Sequence, residues 1–129
     1  MKYFCGTDII EVDRIKKAII STKGFKEKIF TSSEISYAED KSEVTKYIHY
    51  AGRFAAKEAV YKAISGIYPH ISLSEIEILN DKDNLNRPFV IFQNKHLKNI
   101  INSNSLYIDV SISHIKDYAI ANCVVSLDN

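Results

Sequence analysis

The chain has 129 residues, of which 46% are hydrophobic and 26% are charged, and its formal net charge is +1. This length and composition predict one globular domain, residues 1–129, with a single core. A nearly neutral chain is unlike a dedicated nucleic-acid-binding protein, and no apolar stretch approaches the roughly 20 residues that a membrane span needs. The N-terminal apolar run is broken by Asp8, so it is not a signal peptide. Cys5 and Cys123, both in apolar runs, fit a reduced chain better than a disulfide framework. We therefore expect a cytoplasmic protein with neither nucleic acid nor membrane as a partner.

Basic residues are concentrated in one segment near the N-terminus. Between Arg14 and Lys28 there are six basic residues and a single acid, Glu27. Such a patch attracts an acidic partner, but a solvated helix face has the same composition. Charge alone leaves both interpretations open. The six residues are Arg14, Lys16, Lys17, Lys23, Lys26 and Lys28.

The first half of the chain predicts one strand followed by four helices. The strand is mostly apolar but contains Asp8, and aspartate is depleted in strands. Capping residues mark the helix starts, and Gly24 lies where the first helix should end. The elements are a strand over residues 3–10, a helix from an N-cap at Asp13 to about Thr22, a short helix with Phe25 and Ile29, a helix from the capping box of Thr31 and Glu34 to about Asp40, and a long helix from Ser42 to about Ser65.

The second half predicts short strands and one more helix. His114 is in phase with the apolar face of its strand, at the strand end, where a structural histidine is more common than a ligand. The pattern as a whole predicts an α+β domain with a small antiparallel sheet packed on the long central helix. The elements are a strand over residues 71–79, a turn over 81–88, a strand over 89–92, a helix over 95–102, and a hairpin whose strands cover 106–113 and 119–125.

The long helix has no freely polar face over residues 51–64, which predicts a buried or interface helix. Glu58 and Lys62 project one turn apart from small apolar surroundings. They could form an ordinary i,i+4 ion pair, worth only a few tenths of a kcal/mol on a surface. Alternatively, Glu58 binds a cation or acts as a base near an anionic ligand, with Arg53 and Lys57 close by. A stripe of very small residues on this helix allows close packing and consists of Gly52, Ala56, Ala59 and Ala63.

Asp8 and Glu58 are two carboxylates in apolar surroundings, and basic residues accompany them. Mg²⁺ often takes one or two protein carboxylates and completes its shell with waters and substrate phosphates. The chain has no glycine-rich phosphate loop, no Cys/His zinc spacing and no Gly-x-Ser-x-Gly elbow. These residues suggest a magnesium-assisted phosphate site that side chains and metal form together.

Four ordered blocks of sequence carry a specific resemblance. They are GTDIIEVDRI at residues 6–15, Phe30 and Thr31 with Glu34, AGRFAAKEA at 51–59 with Lys62 and Ala63, and VSISH at 110–114 with Asp117, Tyr118 and Ala119. This set resembles the holo-(acyl-carrier-protein) synthase family of small phosphopantetheinyl transferases, nearly from end to end. The resemblance implies a 4'-phosphopantetheinyl transferase-like fold and the transfer of 4'-phosphopantetheine from coenzyme A to a serine of apo-acyl carrier protein. Adenosine 3',5'-bisphosphate would be released, and the product would serve fatty acid biosynthesis.

The resemblance also assigns roles to individual residues. Asp8 and Glu58 match the metal ligands for Mg²⁺, and Lys62 matches the lysine near the pyrophosphate. Glu58, or a water on the metal, would accept the serine proton, which makes Glu58 and Lys62 the candidate catalytic residues. Arg53 and His114 match positions that contact coenzyme A.

Further contacts follow from the same resemblance. Lys46 is the candidate for a basic residue that family members carry before the long helix, and it would also contact coenzyme A. The acidic carrier protein would dock on Arg14, with Lys17 and Lys28 as looser matches. The family is a homotrimer with sites between subunits. The chain departs from the family at Asn86, where a glycine is usual.

Three alternatives remain open at this stage. The enzyme could act on carrier domains of peptide or polyketide synthases, although the transferases for those targets are about twice as long. It could also be a non-catalytic module that binds coenzyme A or an acidic protein, but such a module has no need of Asp8, Glu58 and Lys62 together. The simplest alternative is a structural domain in which Glu58 and Lys62 form only an ion pair.

Overall fold

A 22-residue helix packs against a three-stranded antiparallel sheet, and a two-stranded sheet lies beside them. The structure is a computed structural model that describes residues 1–103 and 105–128. The α+β architecture is confirmed. The elements are β1 (Lys2–Glu11), α1 (Val12–Ser21), α2 (Phe25–Ile29), α3 (Ser32–Glu39), α4 (Glu43–Ile64), a 3-10 helix (Leu73–Glu75), β2 (Ile76–Asp81), β3 (Arg87–Phe92), α5 (Lys95–Asn102), β4 (Leu106–His114) and β5 (Tyr118–Leu127).

The larger sheet has the strand order β1-β5-β4. The predicted hairpin of β4 and β5 is confirmed, with Leu106 opposite Leu127. β1 pairs with β5 along its whole length, from Lys2 opposite Leu127 to Glu11 opposite Tyr118. The N-terminal strand therefore lies at the edge of a sheet whose other strands come from the end of the chain.

Successive side chains of β1 alternate between the core and the outside, as the period of a strand requires. Gly6 and Ile10 are buried against α4, whereas Tyr3 and Ile9 point outward and are 67% and 62% exposed. Gly6 lies so close to α4 that a Cβ atom would be 1.8 Å from the carbonyl oxygen of Ala59. Asp8 is in phase with Gly6, so its carboxylate points toward α4 as well.

The prediction that residues 51–64, the second half of α4, have no freely polar face is confirmed. Ala56, Ala59 and Ala63 are at most 1% exposed, and Lys57 is completely buried. The helix begins as predicted, because the Ser42 hydroxyl accepts a hydrogen bond from the Thr45 amide at 3.2 Å. In the described part of the chain, no helix is both long and apolar enough to cross a membrane.

Three predicted boundaries were wrong. The turn predicted over residues 81–88 is shorter, because Asp81 still belongs to β2 and β3 begins at Arg87 rather than at residue 89. Asp13 is not the N-cap of α1, which begins at Val12 after Glu11. The Val12 amide already donates to the Asp117 carbonyl at 2.9 Å, so the helix start needs no side-chain cap, and Asp13 instead pairs with Lys17 at 2.8 Å. The strand predicted from residue 71 begins only at Ile76 (β2), because Leu73–Glu75 form a 3-10 helix. A capping box between Ser72 and Glu75 stabilises that turn.

Candidate active site

Asp8, Glu58 and Lys62 line one cavity of about 490 Å³ between β1, α1 and α4. The Lys62 ammonium lies 3.2 Å from a carboxylate oxygen of Asp8 and donates to the Thr7 carbonyl at 2.9 Å. Among the residues that the structure describes, Lys62 forms its ion pair with Asp8 and not with Glu58. The interpretation of Glu58 and Lys62 as a simple i,i+4 pair is therefore wrong.

The Glu58 carboxyl is electrostatically distinct from an ordinary surface glutamate. Burial raises its pKa, the negative charge of Asp8 raises it further, and Lys62 acts in the opposite direction. Two neighbouring carboxylates are a favourable setting for a cation, because a bound cation stabilises both charged forms. The cavity thus combines two acids and one lysine.

The donor set fits Mg²⁺. Within residues 1–103 and 105–128, no group of three or more His, Cys, Asp or Glu side chains is placed to hold a metal ion. A cation beside Asp8 and Glu58 would have two protein carboxylates and would need further oxygen ligands from water or substrate. This is the common mode of Mg²⁺ binding beside phosphates.

The opposite wall of this first cavity comes from α1 and α2. Arg14 of α1 is exposed and lies at the cavity, together with the apolar side chains of Ile15 and Phe25. Lys17 and Lys28 are exposed on α1 and α2, outside the residues that line the cavity. The basic segment seen in the sequence therefore borders the cavity through Arg14.

Arg53 and His114 line a second cavity, of about 210 Å³, between α4, the β2–β3 hairpin and the end of β4. Arg53 is 6% exposed, and its guanidinium donates to the Asn80 side chain and lies 5.0 Å from the centre of the Tyr37 ring. Burial lowers the pKa of Arg53, although a guanidinium stays protonated near neutral pH. The cavity therefore contains a buried fixed positive charge.

His49 also lines the second cavity, and the sequence analysis did not identify this residue. Its ring packs edge-on against Tyr37, with ring centres 5.3 Å apart. Burial lowers the pKa of His49, and the nearby charges of Arg53 and Lys41 act in the same direction. Since His49 precedes Arg53 by one helical turn, the i,i+4 spacing could have placed both on one face.

Lys46 lies apart from both cavities. Its ammonium pairs with Glu43 at 2.9 Å and with Glu39 at 3.2 Å. Hydrogen bonding to Glu43 raises the pKa of Lys46. Of the described residues, those that line the two cavities do not include Lys46, so its contact with coenzyme A stays a prediction.

The chain is similar to known enzymes along nearly its whole length. A model of the 4'-phosphopantetheinyl transferase superfamily matches residues 4–123. A holo-(acyl-carrier-protein) synthase from Ruminiclostridium cellulolyticum is 48% identical, over 98% of this chain and 94% of its own. One from Fusobacterium nucleatum is 43% identical, over 93% and 95% of the two chains.

Solved structures agree with the sequence comparisons. An ACPS–CoA complex from Chronobacterium ammoniagenes superposes with a TM-score of 0.82 at 26% identity and covers 100% of both chains. A holo-(acyl-carrier-protein) synthase from Helicobacter pylori in complex with coenzyme A has a TM-score of 0.75 at 33% identity, over 95% of this chain and 99% of its own. The arrangement of helices and strands is therefore shared with proteins that bind coenzyme A.

Proposed function

The chain belongs to the 4'-phosphopantetheinyl transferase superfamily, and we propose that Asp8, Glu58 and Lys62 form its reaction centre. It transfers 4'-phosphopantetheine from coenzyme A to a serine of apo-acyl carrier protein in fatty acid biosynthesis, as holo-(acyl-carrier-protein) synthases do. The observation that carries the proposal is the convergence of Asp8 on β1 with Glu58 and Lys62 on α4 in one cavity.

The transfer breaks the phosphoanhydride bond in the pyrophosphate of coenzyme A and forms a phosphodiester bond to the serine. The serine oxygen attacks the phosphorus next to pantetheine, a new O–P bond forms, and the bond from that phosphorus to the bridging oxygen breaks. The serine loses its proton, and adenosine 3',5'-bisphosphate leaves with the electron pair of the broken bond. Negative charge grows on the leaving phosphate, so a fixed positive charge nearby lowers the barrier.

Lys62 supplies that positive charge in our proposal. Its ammonium is held by Asp8 and by the Thr7 carbonyl, at 3.2 and 2.9 Å, so its position is set before the substrate arrives. A cation that is already oriented needs little reorganisation during the reaction. Lys62 is half-exposed, which leaves its remaining N–H free to face a phosphate.

Asp8 and Glu58 are the proposed ligands of a Mg²⁺ ion. When bound, the ion would neutralise phosphate charge and orient the reacting groups. Glu58 is also the candidate acceptor of the serine proton, because its carboxyl lies in the cavity that Asp8 and Lys62 line as well.

Coenzyme A is proposed to extend from the first cavity into the second. Its anionic groups would meet the buried guanidinium of Arg53 and the imidazole of His114, which both line the second cavity. Burial strengthens the attraction between Arg53 and an anion, because little water is present to screen it. The Lys46 ammonium would contact coenzyme A only after its ion pairs with Glu39 and Glu43 break.

The acyl carrier protein is proposed to dock on α1 and α2. Arg14 borders the reaction cavity, and Lys17 on α1 and Lys28 on α2 are exposed and available to an acidic partner. An acidic partner that approaches this surface would bring its serine toward Glu58. Complementary charge of this kind speeds association and orients the partner.

A homotrimer is the proposed assembly. The outer face of the larger sheet exposes large apolar side chains that a partner subunit would cover. Ile9 lines both the reaction cavity and a small apolar cavity on that outer face, so a neighbouring subunit seated there would border the reaction site. A Val124→Asp variant should shift the mass in sedimentation velocity from trimer to monomer, and an unchanged mass would contradict this interface. The exposed side chains are Tyr3, Ile9, Tyr107, Tyr118 and Val124.

The proposed location is the cytoplasm. Cys5 is exposed and Cys123 is buried, and both thiols are free. An exposed free thiol is better suited to a reducing compartment than to an oxidising one.

The proposal is tested by following the leaving group. The chain is incubated with coenzyme A, Mg²⁺ and apo-acyl carrier protein, and adenosine 3',5'-bisphosphate is measured by chromatography. Release should require the carrier protein and should stop when EDTA is added. Coenzyme A binding without release would instead favour a non-catalytic binding module. Release that persists with EDTA would contradict the metal site alone.

A further inference from the structure

We propose that Asn80 is a positioning residue for coenzyme A, because its side-chain amide connects the Arg53 guanidinium to the turn of the β2–β3 hairpin. The inference rests on the proposed function, in which the second cavity receives part of coenzyme A. It goes beyond that function by assigning a role to a residue outside the reaction centre.

The amide of Asn80 has one contact on each side. Its oxygen accepts a hydrogen bond from the Arg53 guanidinium on α4. Its nitrogen donates to the Asn86 carbonyl in the hairpin turn at 2.7 Å. All three residues line the second cavity, so the amide joins two of the cavity walls.

Arg53 needs this acceptor because it is buried. It is 6% exposed, and its Nε atom has no hydrogen-bond partner within the described part of the chain. A buried guanidinium with few acceptors has little to fix its orientation apart from the Tyr37 ring beneath it. The Asn80 oxygen therefore determines which way the charged group faces in the cavity.

The hairpin turn also needs the amide. Leu85 and Asn86 both have positive φ angles, 57° and 56°, which are uncommon for residues other than glycine. The Leu85 side chain is 98% exposed and adds no packing. Asn80 lies opposite Pro88 in the strand pairing, and proline has no N–H to donate to the ladder. The Asn80 side chain supplies a link from β2 to the turn at this point.

Backbone hydrogen bonds inside the turn do not replace that link. The Asn84 amide donates to the Asp81 carbonyl at 3.1 Å, and the Arg87 amide donates to the Asn84 carbonyl at 3.0 Å. These bonds close the turn on itself, whereas Asn80 connects it to α4. Without Asn80, the turn and Arg53 could each keep their local structure but lose their relative position.

The expected consequence is a selective loss of coenzyme A affinity. Asn80→Ala should raise the KM for coenzyme A by about tenfold, since it removes one hydrogen bond to a charged group and one to the turn. It should leave kcat near the wild-type value, because Asp8, Glu58 and Lys62 lie in the other cavity. A residue that only stabilised the fold would lower the unfolding temperature without this separation of KM from kcat.

The test measures kcat and KM for coenzyme A, and the unfolding temperature, for the wild type and three variants. Asn80→Leu is a second variant that keeps the side-chain volume. Asn84→Ala is the matched control, because it makes the same change at an exposed position of the same turn. Asn80→Ala and Asn80→Leu should raise KM, whereas Asn84→Ala should not.

The outcomes separate this inference from the function on which it rests. A wild-type chain that transfers no phosphopantetheine would contradict the proposed function. An active wild type, together with a wild-type KM in a folded Asn80 variant, would overturn the role of Asn80 alone. An equal rise of KM in Asn84→Ala would also overturn it, because the effect would then belong to the turn in general.

Discussion

The Lys62 ammonium and the Asp8 carboxylate, which are 54 positions apart in sequence, lie 3.2 Å from each other. This contact places the edge strand β1 against the last turn of α4. It is possible because Gly6, two residues before Asp8, lets the strand backbone approach α4 closely. The proposed reaction centre therefore depends on a glycine that has no part in the proposed chemistry.

If Asp8 and Glu58 hold a metal ion as proposed, replacing either should abolish activity without unfolding the chain. Asp8→Asn and Glu58→Gln each keep the side-chain volume but remove one negative charge from the cation site. Replacing a residue that only hydrogen-bonds to a metal ligand lowers metal affinity or activity by roughly 10–100-fold. Replacing a ligand itself should therefore lower the transfer rate by more than about 100-fold. Circular dichroism and the unfolding temperature should stay close to those of the wild type. A near-normal rate in both variants would contradict the metal assignment.

Because Gly6 lies so close to α4, we predict that adding one methyl group at this position strongly lowers the stability of the fold. In Gly6→Ala, the new Cβ would lie 1.8 Å from the Ala59 carbonyl oxygen, which belongs to the rigid backbone of α4. The cost should exceed the range of about 1–3 kcal/mol that overpacking usually costs. Urea denaturation measures it.

Gly66→Ala is the matched control for Gly6. A Cβ atom there would lie 3.4 Å from the Phe4 ring, an ordinary van der Waals distance. Its stability should change by no more than about 0.5 kcal/mol. Equal effects of the two substitutions would show that the approach of β1 to α4 is not as close as described.

The buried ion pair of Lys57 and Glu34 predicts a large effect of removing its cation. Both side chains are fully buried and 2.8 Å apart, and Lys57 also donates to the Leu73 carbonyl at 3.0 Å. Lys57→Met should cost about 3–5 kcal/mol in the free energy of unfolding, because it leaves the Glu34 carboxylate buried without its partner. Urea denaturation of this variant provides the measurement.

The exposed pair of Lys17 and Asp13, also 2.8 Å apart, offers the matched control for Lys57. Exposed pairs contribute little, so Lys17→Met should change the free energy of unfolding by less than about 1 kcal/mol. Similar values for Lys17→Met and Lys57→Met would argue that burial does not determine the strength of these interactions.

The lowered pKa of His49 leads us to predict that the folded chain loses stability in mild acid. Burial and the charges of Arg53, Lys41 and His114 hold its pKa below the ordinary value of 6.5. Near and below pH 6.5, the unfolded chain therefore binds a proton more readily than the folded chain, and stability falls as pH decreases. The fall ends once the pH is below the folded pKa as well.

A His49→Gln variant removes this contribution. Its unfolding temperature should decrease less than that of the wild type between pH 7 and mildly acidic pH. Differential scanning calorimetry over that range gives the comparison. Parallel curves for the two proteins would mean that His49 is as easily protonated in the folded as in the unfolded chain.

Local features of the fold were predictable from the sequence. The capping box of Thr31 and Glu34 and the cap at Ser42 place two helix starts correctly, because a cap involves residues within one turn of each other. The alternation of β4 and β5 likewise gives the hairpin and its two faces. The N-cap predicted at Asp13 was wrong because the helix start involves a residue that is distant in sequence. The Val12 amide donates to the Asp117 carbonyl, and no local pattern reveals that contact.

Long-range partners could not be predicted from residue patterns. The Glu34 carboxylate accepts from the Ile78 amide and pairs with Lys57, so it joins α3 to β2 and α4. The sequence marks Glu34 as a capping residue but carries no sign of these second contacts. The pairing of Asp8 with Lys62 was similarly hidden, and Glu58 was the partner that helical spacing suggested for Lys62.

The most direct test of the central claim is the mass of the carrier protein itself. Apo-acyl carrier protein is incubated with the chain, coenzyme A and Mg²⁺, and its intact mass is measured by mass spectrometry, with an Asp8→Asn reaction in parallel. Our account predicts that the wild type adds the mass of one phosphopantetheine group to the carrier serine and that Asp8→Asn adds almost none in the same time. No mass gain with the wild type, or an equal gain with the variant, would contradict it.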